Sequence, residues 1–305
     1  AHSTLPHGCI DYARGWAWQQ FLLSRRLAHR RSLAAADQSS SSSSASSLAN
    51  QQEAQAVDTD IVLLFEHTPV YTLGRGADEN HLTFLQKKEN FAVREKLSRK
   101  NRGVGSARLS VDRRLLEDDL LHRSDQEAVD ILARSASPVI APRDVPIFRI
   151  ERGGEVTFHG PGQLVVYPLL DLQREPYKQD LHWYLRMVEE VIILTLQHYN
   201  IDGVRDEINT GVWVGENKVA AVGVSSSRWI TTHGFAINVY PDLSYFDTSV
   251  IIPCGIGGRG VTSIAEVMKD RGDAKVPSVE DVGTVVLQSI QDVFGIEVKA
   301  GETLR

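Results

Sequence analysis

Hydrophobic residues recur at helical spacing across residues 10–31, where Tyr12, Trp16, Phe21, Leu22 and Leu27 punctuate IDYARGWAWQQFLLSRRLAHRR. The spacing predicts a helix. The pattern stops at AAADQSSSSSSASSLANQQEAQA, where six consecutive serines have nothing to bury, so about 32–57 reads as a disordered insertion. Apolar residues return as IVLLF at 61–65, a short continuous run ended by a turn, which predicts a buried strand. Residues 86 to about 143 are dense in charge and poor in aromatics. They read as a second, partly disordered insertion that contains one amphipathic stretch, LEDDLLHRSDQEAVDILARSA; a small accessory domain is the alternative.

From residue 145 onward the pattern is foldable throughout. PIFRI and LVVYPLL predict strands. DLHWYLRMVEEVIILTLQHYN predicts a long helix with Leu181, Leu185, Val188, Ile192 and Leu196 along one face. TGVWVGENKVAAVGV predicts a hairpin turning at Gly215, Glu216 and Asn217, and THGFAINVY a further strand. PSVEDVGTVVLQSIQDVFG predicts a closing helix between an N-cap at Ser278 and a left-handed Gly295, and IEVK a last short strand. Strands arrive in hairpin-like runs with helices between the blocks. That order predicts a mixed α/β (α+β) domain rather than regular βαβ winding.

Composition narrows this little. The 305 residues suffice for one large domain or two small ones. With 42% hydrophobic and 24% charged residues the chain is ordinary for a globular protein, and no run approaches the roughly 18 apolar residues of a spanning helix. A net charge of −6 gives no reason to expect nucleic acid. The two cysteines, Cys9 and Cys254, lie far apart in the chain without zinc-site spacing, which fits a reducing compartment. The chain starts AHSTLPHG, without Met, and reads as a processed or trimmed product.

Three stretches carry candidate chemistry. In SVIIPCGIGG, Cys254 is either a small buried hydrophobe or a thiol placed to react. Pro253 and Gly255 set it on a turn, and the following glycines offer unshielded N–H groups for a thiolate or an oxyanion. Gly255, Gly257 and Gly260 also spell G-x-G-x-x-G, with Glu280 near the distance of a ribose-binding acid. Pro253 interrupts the strand such a site needs, and the chain left after it is too short for a dinucleotide domain. In RGGEVTFHGPGQ, Arg152 and His159 either hold a carboxylate, amide or phosphate, or belong to a long structural turn. In GENKVAAVGV, Lys218 is either a solvated hairpin-corner charge or an ammonium that reaches inward. Placed within about 4–6 Å of Cys254 it would favour the thiolate.

Together the blocks resemble the lipoyl(octanoyl)transferases, the octanoyl-[acyl-carrier-protein]–protein octanoyltransferases of lipoate biosynthesis. The matching pieces are Tyr12 to Gln19, EHTPVYTLGRG at 66–76, RGGEVTFHGPGQLVVYPLLDL at 152–172, TGVWVGENKVAAVGV at 210–224, THGFAINVYPDLSYFDTSVIIPCGI at 232–256 and the VTSIAEV that follows. The resemblance extends over about 200 of the 305 residues and leaves out the two segments read as insertions.

The resemblance implies a single catalytic domain over 1–305, of the biotin/lipoate protein ligase fold, with a large and a small mixed sheet flanked by helices. It implies that Cys254 is the nucleophile of a thioester acyl-enzyme, and that Lys218 lowers its pKa and relays the proton. It gives substrate-lining roles to Arg152, Gly153, Gly154, Glu155, Val156, Thr157, Phe158 and His159, to Ala221, Val222 and Gly223, and to Gly234, Phe235 and Ala236. Arg75 and Gly160 are further candidates. The implied donor is octanoyl-acyl carrier protein. The implied acceptors are lipoyl domains of 2-oxo acid dehydrogenase acyltransferase subunits and the glycine cleavage H protein. No cofactor, ATP or metal is expected. Both partners are typically acidic, so Arg75, Arg152, Arg228 and Arg259 are expected to form a basic rim. The alternatives are an ATP-dependent lipoate or biotin ligase on the same fold, which needs no catalytic cysteine, and a non-enzymatic lipoyl-domain binder. The insertions look eukaryotic, which by analogy places the expected activity in mitochondria, with plastid or cytoplasm as the alternatives.

Overall fold

A computed structural model describes residues 2–4, 8–39, 59–86, 90–98, 107, 109, 119–252 and 259–301. In chain order its strands begin with β1 (His2–Thr4), β2 (Ile61–Phe65), β3 (Val70–Leu73), β4 (Val139–Ala141), β5 (Val145–Arg149) and β6 (Val156–His159). They continue with β7 (Gln163–Leu169), β8 (Val204–Arg205), β9 (Val212–Val214), β10 (Asn217–Ser227), β11 (Ile230–Asn238), β12 (Gly260–Val261) and β13 (Lys299–Ala300). The helices are α1 (Tyr12–Ser39), α2 (Phe91–Leu97), α3 (Asp125–Arg134), α4 (Leu181–His198), α5 (Ile264–Arg271) and α6 (Val279–Phe294).

The strands form two sheets. The larger runs β13-β1-β2-β7-β11-β10-β9-β8, with β12 added on β10; the smaller runs β4-β5-β3-β6. Both mix parallel and antiparallel pairs. Alternation along β2 explains why IVLLF is apolar without a break. Val62 and Leu64 face a core shared with Tyr184, Val188 and Ile192 of α4 and Val282, Val286 and Ile290 of α6. Leu63 and Phe65 face the other side, against Trp16 and Phe21 of α1 and Val129 and Leu132 of α3. A sheet covered on both faces has no polar side to alternate with. The smaller sheet has its own core, where Tyr71, Ile147 and Phe158 meet Leu82, Leu97 and Ile251.

Local expectations are met where the local signal was strong. Helix α6 starts on a capping box between Ser278 and Asp281 and ends on Gly295 at φ 65°. The β9–β10 hairpin turns at Gly215, φ 56°. Helix α1 runs on to Ser39, past the expected end at 31, and residues 40–58 lie outside the described residues. The second segment needs a correction. Its residues 119–143 belong to the body of the fold: Leu120, Ala128, Val129 and Leu132 are buried against α1, and β4 pairs with β5. Residues 99–106 and 110–118 of that segment lie outside the described residues.

Candidate active site

The two sheets meet around a cavity of about 330 Å³. Strands β10 and β11 form one wall with Ala221, Val222, Gly223, Gly234, Phe235 and Ala236. The segment Arg152 to Thr157, with His159, forms the opposite wall. Tyr12 of α1, Tyr167 of β7 and Leu185 of α4 close it, and Ile208 to Thr210 stand at its rim.

The opposite wall is held by backbone as much as by side chains. Gly153 N–H donates to Val224 O at 3.0 Å, which ties the glycine segment to β10. A Cβ on Gly223 would lie 3.1 Å from both Arg152 Cδ and Gly153 O, so a side chain there would press on this segment by a few tenths of an ångström. Arg152 is 8% exposed. Its Nη2 donates to Thr72 O and Thr72 Oγ1 at 2.9 Å, and its Nη1 to Gly153 O at 2.9 Å. The guanidinium therefore braces the segment against β3. Glu155 braces its other end, accepting from Asp78 N–H at 3.0 Å and from His81 Nδ1 at 2.9 Å.

His159 is buried and stacks on Tyr12, with ring centroids 5.8 Å apart. Burial, reinforced by His67, Arg152 and His233, pushes its pKa down to about 3, so the ring is neutral. Gln163 Nε2 donates to Asn238 Oδ1 at 2.8 Å, which leaves Gln163 Oε1 as the acceptor for His159 Nδ1–H at 2.7 Å. Asn238 Nδ2 in turn donates to Thr262 O at 2.9 Å. This buried chain runs from the small sheet through β7 and β11 to the residue after β12.

Lys218 points inward. It is 6% exposed, its Nζ donates to Thr210 O at 3.0 Å, and the ammonium lies 4.8 Å from the Trp213 ring centroid. Regular alternation would put Lys218 on the face opposite Ala221 and Gly223. A β-bulge between Lys218 and Ala220 inserts one residue and reverses that parity. Strand β12 lies beside it in register, Lys218 opposite Val261, with Thr262 N–H bonded to Lys218 O.

Cys254 lies outside the described residues, as do Gly255 and Gly257. The described residues on either side are placed. Ile252 N–H donates to His81 O at 2.7 Å, and Gly260 pairs with Asn217, next to Lys218. Arg259 stacks on Trp213 at 3.7 Å and pairs with Asp206 and Glu216.

Three expected lining residues stand elsewhere. Alternation along β6 turns Phe158 into the small-sheet core, stacked on Tyr245 at 4.4 Å. A Cβ on Gly160 would lie 2.5 Å from that ring, so this glycine makes room for Phe158. Arg75 is exposed outside the cavity, its N–H bonded to Arg152 O. Of the residues expected to form a basic rim, Arg152 is buried, Arg259 is taken up by carboxylates, and Arg75 and Arg228 are exposed without lining the cavity. Sequence reasoning missed His233, a buried wall residue at φ 58° with its amide bonded to Gln19 Oε1 at 2.6 Å, and gave Tyr167 no role. Neither stands near a motif residue of matching chemistry.

Residues 132–291 match the lipoyl protein ligase A/B catalytic domain. An octanoyltransferase of Gloeobacter violaceus is 34% identical over 294 residues, 96% of this chain and 90% of that protein. An octanoyltransferase of Nostoc punctiforme is 38% identical over 292 residues, 95% of this chain and 87% of that protein. A putative lipoate protein ligase of Thermoplasma acidophilum with bound lipoic acid superposes with a TM-score of 0.54 at 13% identity, covering 100% of this chain and 90% of that one. A lipoate-protein ligase A bound with ATP gives 0.53 at 12% identity, covering 100% and 90%. These structures share the fold. The mitochondrial expectation is overturned: these octanoyltransferases are cyanobacterial, and cyanobacteria have no mitochondria. Identity over nearly the whole chain carries what a shared fold could not, and the chain belongs to the octanoyltransferases, acyltransferases of protein lipoylation within the lipoyl protein ligase A/B catalytic-domain family.

Proposed function

We propose that the chain moves the octanoyl group from an acyl-carrier-protein thioester to a lysine of a lipoyl domain through a thioester on Cys254. Lys218 carries the reading: a buried ammonium at the wall of a largely apolar cavity, beside the strand that follows the Cys254 segment. Thiolate attack on the carbonyl carbon forms the Cys254 thioester and breaks the bond to the phosphopantetheine sulfur. The Lys218 ammonium gives its proton to that leaving thiolate. In the second half the neutral amine of the acceptor lysine attacks, a C–N bond replaces the C–S bond, and the amine's proton passes to Lys218. The thiolate is then regenerated.

Thioester, thioester and amide run downhill, so the transfer is proposed to need neither ATP nor a metal. Splitting it also means that two protein partners take turns at one site. The apolar wall of β10 and β11 holds the acyl chain, where each buried methylene contributes about 0.8 kcal/mol.

Intact mass spectrometry tests the reading. Exposed to octanoyl-carrier protein, the wild type gains one octanoyl group and Cys254→Ala gains none. Octanoylation of the variant would overturn the covalent route. An ATP-dependent ligase would retain lipoyl-domain modification without this thiol.

A further inference from the structure

Glu189 is the unexplained group of the molecule. It sits on α4 among Val188, Val191 and Ile192, on a helix face given over to the core, and is 1% exposed. A carboxylate in that position is costly unless its oxygens are occupied. Oε2 is engaged by Arg186 Nη1 at 2.9 Å and Arg205 Nε at 3.5 Å. Oε1 is aimed the other way, toward the cavity rim, where it accepts from Gly211 N–H at 3.0 Å.

That N–H belongs to the peptide unit whose carbonyl is Thr210 O, and Thr210 O accepts from Lys218 Nζ at 3.0 Å. In a planar trans peptide the N–H and C=O point in opposite directions. A carboxylate at one end and an ammonium at the other therefore both oppose the peptide dipole's ends with favourable charge, and each hydrogen bond polarises the other. We infer that Glu189 is a positioning residue for Lys218, acting through the Thr210–Gly211 peptide. The inference rests on the proposed role of Lys218.

Gly211 is the part that makes the bridge fit. It holds φ 127°, which side chains rarely adopt. A Cβ there would lie 2.6 Å from Ala220 O and 3.3 Å from Lys218 Cε, so it would push on the strand and on the lysine stem together. The far end of the same loop is pinned independently, by Asp206 on Arg259 and on the amides of Ile208 and Asn209. Glu189 fixes the remaining freedom, the tilt of the one peptide that faces the ammonium.

A double-mutant cycle decides it, run in the otherwise intact chain carrying Cys9→Ser, because Cys9 is an exposed thiol that would also react. The readout is the rate of Cys254 alkylation by iodoacetamide at pH 7, alongside kcat and KM for octanoyl transfer. Glu189→Leu slows alkylation and kcat by about tenfold and leaves KM for the octanoyl donor within about twofold. In a Lys218→Ala background the same substitution changes alkylation by less than about twofold, because nothing remains to be positioned. Glu189→Gln keeps the acceptor oxygen and restores the rate to within about threefold of wild type. Should Glu189→Leu not fold, Glu189→Asp carries the test: it keeps the charge, withdraws the oxygen by one methylene, and slows alkylation at least about threefold. Equal losses in both backgrounds, or a wild-type rate in both Glu189→Leu and Glu189→Asp, would overturn the inference alone. A wild-type alkylation rate in Lys218→Ala would overturn the role of Lys218 and the inference with it.

Discussion

His67 and His159 are enclosed so fully that their imidazoles stay neutral where an ordinary histidine would begin to charge. Burial pushes His67 down to about 4 and His159 to about 3. Between those values and the usual 6.5 the unfolded chain binds protons that the folded chain refuses. Stability is therefore complete above about pH 6.5 and falls as pH falls, by about 1.4 kcal/mol per unit for each histidine. Two such groups give a loss of about 4 kcal/mol between pH 7 and 5. Asp206 does not confuse the window. Arg259 and the turn amides hold its carboxyl down to about 2, so its contribution is lost only as pH drops below the ordinary carboxylate range. Urea unfolding at pH 7, 6 and 5 reads the slope directly, and a midpoint that stays constant would mean that water reaches both rings. The same neutrality limits chemistry. His159 donates from Nδ1 to Gln163 and is a fixed strut of the cavity wall, so a proton carrier must be sought elsewhere; of the buried cations Arg152 and Lys218 that line the space, a guanidinium keeps its proton and a lysine can release one.

Among elements, β12 shows how a two-residue strand can matter more than a long one. It is held on β10 by its pairing with Asn217 and Lys218, and Thr262 just after it receives the end of the His159–Gln163–Asn238 chain. Asn238→Leu would take away the shorter of the two Gln163 Nε2 hydrogen bonds, leaving the one to Phe158 O at 3.3 Å, and the Asn238 donor to Thr262 O. It is expected to destabilise the fold by at least about 2 kcal/mol and to slow octanoyl loading, with Asn238→Asp intermediate. Chemical denaturation together with the loading assay checks both, and loading at the wild-type rate in a destabilised Asn238→Leu would show that β12 does not depend on this chain. Strand β12 also marks where reading the chain stops working. The elements β2, β7, α4 and α6 were legible because their signals are local: an apolar run, a helical stripe, a serine and a glycine at the two ends of α6. Strand β6 is not legible in RGGEVTFHGPGQ, because glycines flank four residues whose partner, β3, lies more than eighty positions earlier. The bulge that turns Lys218 inward leaves no mark in GENKVAAVGV, where a lysine at a hairpin corner looks solvated. The role proposed for it, like that proposed for Cys254, comes from resemblance to a family and not from its neighbours in sequence.

At the scale of the molecule, the cavity belongs to neither sheet. Strands β10 and β11 supply one wall, the segment leading into β6 the other, and α1 and α4 close the ends from opposite faces of the large sheet. The site therefore depends on how the two sheets are docked, and any segment that shares in the docking should be intolerant of deletion. That separates the two stretches that looked alike in composition. Residues 119–143 carry buried Leu120, Val129 and Leu132 and the strand β4, so removing them would open the core. The serine-rich stretch enters from the exposed end of α1 and returns to the sheet at β2, and its sequence offers almost nothing to bury. Deleting residues 41–50 roughly halves the connection between these two elements. By the general scaling of loop closure with length, such a halving changes the closure cost by only about 0.6 kcal/mol, so the shortened protein is expected to melt at the same temperature or slightly higher. Its rate of octanoyl transfer is expected to match the full chain, since the cavity walls among the described residues are built from Tyr12 and from residues 152–236. Differential scanning calorimetry and the transfer assay test this together. A melting temperature lowered by several degrees would mean that the serine-rich stretch packs on the fold. A normal melt with slowed transfer would assign it instead to contact with one of the protein partners.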